Sequence, residues 1–180
     1  MEPDARRRLL RAKFLSLGLG ELAAVAAFAY VALGVVAPKL PDDRSFVTLM
    51  VAFVPLLLIL AQAAAYWLMA RAWVKVRLMP RRVADLYRAF RILDVILVLA
   101  AGVYITFQLP STAWVSVLTL LVWLFAVLEF VNYYVVRLSY PVDEWFVRIG
   151  EWRTPRLICE LRTVDHSRAP SGNAAGHPRC

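Results

Sequence analysis

Apolar side chains fall into four long runs, at residues 14–36, 46–70, 92–109 and 113–136, separated by short polar segments. An α-helix rises 1.5 Å per residue, so about 20 residues cross the roughly 30 Å hydrocarbon core of a bilayer. Each run is about that length. The pattern predicts an all-α membrane protein built as a four-transmembrane-helix bundle over 14–138. A basic arm at 1–13 precedes it, an amphipathic interfacial segment follows at 139–165, and a flexible tail rich in Ser, Pro, Gly and Ala ends the chain at 166–180. With 61% hydrophobic residues and a mean hydropathy of +0.62, the composition fits an integral membrane protein.

The first run has some features of a removable signal. Arg6-Arg7-Arg8 precedes it, and Val35-Val36-Ala37 resembles a cleavage site. A signal core holds only about 7–15 apolar residues, however, and Pro38 would follow the cut. A retained helix is the expectation.

Charge sets the predicted orientation. The arm at 1–13 has a net charge of +3, the segment 71–91 has +6 and the tail from 137 has +2, whereas 37–45 is neutral and the turn at 110–112 is uncharged. Thus 19 of 21 basic side chains fall on one side of a four-span topology, which places both termini in the cytoplasm of a cytoplasmic membrane. Such runs sit among anionic headgroups, each residue contributing about 1 kcal/mol near the surface. The net charge of +8 therefore requires no nucleic acid, for which an independent basic domain would be expected. The arginine excess, 18 Arg to 3 Lys, points to a GC-rich bacterial source.

Small residues suggest where helices approach closely: Gly18, Gly20 with Ala24, and Ala23 with Ala27 in the first run, Ala61 and Ala63–Ala65 in the second, and Ala100-Ala101-Gly102 in the third. Pro55 is expected to kink the second helix. Trp67, Trp73, Trp114, Tyr133, Tyr134 and Tyr140 lie near predicted membrane interfaces, as aromatic belts do. In the C-terminal segment, Trp145, Phe146, Ile149 and Trp152 form one apolar stripe. Leu157, Ile158, Leu161 and Val164 form another, after a Thr154-Pro155 start signal. Such helices lie in the membrane interface, dock under the bundle or hold a partner helix.

The candidate site is the set of polar residues inside the spans: Glu21, Gln62, Tyr66, Asp94, Glu129 and Asn132. Counted from the helix ends, all lie in the cytoplasmic third, with Asp94 the shallowest at about 5 Å past Arg91. A charge in lipid costs at least about 2.5–3.5 kcal/mol, so these groups should face inward and find partners. In a structural reading, the carboxylates pair with Arg71, Arg88, Arg91 or Arg137 at the rim. In a functional reading, they bind a cation, a proton or a cationic ligand.

No catalytic, cofactor or metal motif is visible. His166 and His177 lie in the polar tail, as do Cys159 and Cys180, where thiols stay reduced. The expectation is a non-enzymatic accessory or scaffold protein, acting with a membrane-protein partner or as a homo-oligomer. The alternative is a small oligomeric ion- or proton-coupled transporter or channel.

Overall fold

A computed structural model describes residues 3–74, 76, 78–135 and 155–166. The described residues form helices and turns, with no strand among them. Helix α1 spans Pro3–Tyr30, α2 Asp43–Trp73, α3 Arg81–Gln108, α4 Ala113–Tyr134 and α5 Arg156–His166. The first four are long and apolar enough to cross a membrane, as in a multi-pass membrane protein. The first amphipathic stripe of the C-terminal segment, and Arg137 and Tyr140, lie outside the described residues.

α1 and α3 extend well beyond their apolar runs. α1 begins eleven residues earlier than its run and, past Tyr30, continues through a π turn, Val31–Val36, and a 3-10 turn, Ala37–Lys39. α3 begins at Arg81, eleven residues before its run, so the basic segment read as a loop is largely helix. Its buried positions Ala84, Tyr87, Asp94, Val98, Ala101 and Ile105 recur at three-, four- and seven-residue steps, one continuous stripe. α2 starts where the Asp42 carboxylate accepts the Ser45 N–H at 2.7 Å, an N-cap that satisfies one orphan donor. It continues as helix through Pro55.

α2 is the central element, and α1, α3 and α4 each pack on it. In α2, 56% of the most apolar window is buried, against 6% in α1. The outward faces carry exposed Leu33, Leu99, Phe107 and Leu121, suited to lipid. Two buried clusters stack along the bundle. One joins Leu49, Ala52, Phe53, Leu56, Leu60, Ile105, Val122 and Ala126 at the end near the 110–112 turn. The other, at the arginine-rich end, joins Phe14, Tyr66, Trp73, Tyr87 and Tyr134 to Leu157, Ile158, Leu161 and Val164 of α5.

The small residues divide into those at contacts and those that are not. A Cβ on Gly18 would stand 2.8 Å from Leu68 Cγ, and one on Gly102 would stand 2.8 Å from Cζ2 of the Trp123 ring. The Trp123 indole is anchored there by donating to the Val98 carbonyl at 3.0 Å. Around Gly20, by contrast, a Cβ would meet nothing within 4 Å, and Ala23, Ala27, Ala61 and Ala65 are exposed, so the expected packing at those positions does not form. The aromatic belt is also corrected. Trp114 is exposed, but Trp73 and Tyr134 are buried, because they fill the space between the helix ends and α5.

Candidate functional site

The six polar candidates separate into two groups, one sealed between α2, α3 and α4, the other at the cleft of α1 and α4. In the first, Gln62 Nε2 donates to Asp94 Oδ1 at 2.9 Å. The Tyr134 hydroxyl donates to Gln62 Oε1 at 3.2 Å, and the Tyr87 hydroxyl donates to the Gln62 main-chain carbonyl at 2.8 Å. Tyr134 also faces the Asp94 carboxylate electrostatically, but its hydrogen-bond geometry is met only toward Gln62. Asp94 Oδ2 is buried with no hydrogen-bond partner among the described residues. One amide thus ties three helices together, using its side-chain donor, its side-chain acceptor and its backbone oxygen.

Asp94 is buried inside the bundle. It is 1% exposed, because α3 begins thirteen residues earlier, about 20 Å along its axis. Tyr87 and Tyr134 complete this network, and sequence reasoning missed both as site residues. Tyr87 sits in the segment read as a loop, and Tyr134 was assigned to an interface belt. The signal that finds Tyr87 is the buried stripe of α3, which passes through Asp94 and continues into the basic segment.

In the second group, the Tyr133 hydroxyl donates to Glu21 Oε1. Glu129 lies within electrostatic range of Glu21 and interacts with Asn132 on its own helix. Trp67 reaches the Tyr133 hydroxyl from α2. A cavity of about 250 Å³ opens here, bounded by Glu21, Leu17 and Phe14 of α1, Tyr66 and Trp67 of α2, Asn132 and Tyr133 of α4, and the start of α5. Tyr66 is 1% exposed. Its hydroxyl lies beside Glu160 and Arg156 without completing a hydrogen bond among the described residues.

The described arginines form no ion pair with these carboxylates. Arg88 pairs with Asp85 on its own helix, and Arg91 is exposed. Arg71 is half-buried, and its Nε makes no hydrogen bond among the described residues. Among those residues, Glu21, Asp94 and Glu129 form no ion pair with arginine, unlike the expected rim pairing. Arg88 is taken by Asp85, while Arg91, on the same stripe as Tyr87 and Asp94 and within electrostatic range of Tyr134, is exposed and forms no ion pair with Asp94.

An acid outside the spans is better placed. Glu160 of α5 accepts the Trp73 indole N–H at 2.9 Å through Oε2 and the Arg156 Nε–H at 2.9 Å through Oε1. The Arg156 guanidinium stacks over the Phe14 ring at 4.5 Å. These contacts, with buried Leu157, Ile158 and Leu161, seat α5 on the arginine-rich end. Cys159, on the same helix, is buried. Among the described residues, no group of three or more His, Cys, Asp or Glu could hold a metal ion. No protein-family model, curated protein or solved structure matches this chain.

Proposed function

We propose that this is a non-enzymatic integral membrane protein that works by association, as an accessory subunit or scaffold. On this reading it presents its arginine-rich end to a membrane-protein partner or a second copy. That end, with both termini, faces the cytoplasm and anionic headgroups, as the distribution of basic residues favours.

The observation that supports this reading best is the division of chemistry along the bundle. Carboxylates and amides gather in the half of the bundle that α5 closes, whereas the opposite half closes on Leu49, Phe53, Leu56, Leu60 and Ile105. The buried polar side chains described in that half are the hydroxyls of Ser45, Thr48 and Thr119. An ion crossing within one copy would have to pass this layer with few groups to replace its water, an expensive step in a low-dielectric medium. The arginine-rich end, in contrast, is a built surface, with α5 held by Trp73 and Glu160.

A second reading, an oligomeric ion- or proton-coupled transporter or channel, draws on Glu21 and Glu129, which lack an arginine counter-charge among the described residues. Flux separates the two. In liposomes, the purified protein is expected to carry no proton or potassium flux above empty vesicles. A photo-crosslinking residue in place of exposed Arg81 or Arg82 is expected to capture one discrete protein, or a second copy, in native membranes. Flux that disappears in Glu129→Gln would overturn the association reading in favour of the second.

A further inference from the structure

Association at the arginine-rich end leaves unused the cavity between α1, α2, α4 and α5. At about 250 Å³ it lies just below the 300–1,000 Å³ typical of drug-sized ligand pockets, so it suits a small molecule. Its inner end is negative. Glu21 lines it, Glu129 stands within electrostatic range, and the hydrogen bond that Glu21 accepts comes from a neutral donor, Tyr133. The two cations at the cavity do not offset this charge. Arg156 is engaged by Glu160, and Lys13 is eight residues from Glu21, about 12 Å along α1.

The walls favour a cation with an apolar body. Tyr66, Trp67 and Tyr133 line the cavity, and ring faces attract a positive charge within about 6 Å of their centroids. The wall already takes one such charge, since Arg156 stacks over Phe14. Tyr66 lines the same cavity, and its buried hydroxyl lies beside Glu160 and Arg156 without a completed hydrogen bond among the described residues. A hydrated metal ion is a poorer match. It needs several oxygen or nitrogen ligands, and the described residues gather no group of three acidic, His or Cys side chains.

The geometry points to a binding site for a small organic ammonium ion, with its N–H groups on Glu21 and its apolar body against Trp67 and Tyr133. This site is independent of what docks on the arginine-rich end, and binding requires no flux.

The test is titration calorimetry of the full chain in nanodiscs, with benzylammonium as the probe and benzyl alcohol as its neutral counterpart. Saturable binding of benzylammonium is expected, at least tenfold weaker in Glu21→Gln, with no saturation by benzyl alcohol. Equal saturation by both probes would reveal an apolar cleft and overturn the site. So would absence of binding by the wild type, displacement of the probe by millimolar sodium, or undiminished affinity in Glu21→Gln. Should Glu21→Gln fail to fold, the two probes on the wild-type protein decide the matter by themselves.

Discussion

Asp94 and Glu21 are both carboxylates carried by apolar helices, yet their surroundings differ in almost every respect. Asp94 is sealed, held by the Gln62 amide of α2 and enclosed by Tyr87 of its own helix and Tyr134 of α4. Glu21 accepts from Tyr133 at the edge of a cavity, with Glu129 close by. The first arrangement uses a polar group to fix how three helices meet, with one buried oxygen left over. The second leaves negative charge facing open space. A membrane protein can thus hold one acid as a connector and another as a host, and membrane depth alone does not distinguish them.

The difference can be broken most forcefully at Asp94. In Asp94→Ala the Gln62 side-chain donor is left buried without its acceptor, which costs about 1–3 kcal/mol. Thermal unfolding in detergent should show a clear loss, whereas Asp94→Asn, which keeps an acceptor for Gln62, should recover most of it. Equal losses in both variants would mean that the negative charge, not the hydrogen bond, holds the three helices.

A smaller effect is expected where α5 closes the Glu21 side. Trp73→Phe removes the indole donor to Glu160 and should cost about 1 kcal/mol. Amide exchange over Leu157–Val164 should accelerate while that of α3 around Asp94 stays unchanged. Acceleration in both regions would show that α5 and the sealed network form one cooperative unit.

Least of all should change in Glu21→Gln, which keeps an oxygen for the Tyr133 hydroxyl and removes one of two neighbouring negative charges. Its midpoint of unfolding should match the wild type or rise, a change within about 0.5 kcal/mol. A large loss would place Glu21 with Asp94 as a connector and erase the contrast.

Much of the fold was legible because membrane burial writes long apolar runs, and the four spans follow from them. The ends of the helices were not. Residues 81–91 carry four arginines and one aspartate, so composition suggested a loop, but Ala84 and Tyr87 continue the stripe of Val98, Ala101 and Ile105. Following that stripe from Asp94 would have extended α3 and brought Tyr87 into the site. The polar candidates themselves were legible, since acids and amides are rare in such runs. Their division into two groups was not, because it depends on which face of each helix meets α2. The role of Glu160 was hidden for a different reason: it lies in a short charged helix, where an acid is unremarkable until Trp73 is seen to donate to it.

The seating of α5 also bears on how the molecule is made. A ribosome delivers the chain from its amino end, so α1 to α4 are complete before Leu157, Ile158, Leu161 and Val164 have been synthesised. Until then Phe14, Tyr66, Trp73 and Tyr87 lack one side of their buried cluster. The newborn bundle therefore passes through a stage in which an apolar surface at its arginine-rich end is uncovered. A second chain that binds there early would compete with α5.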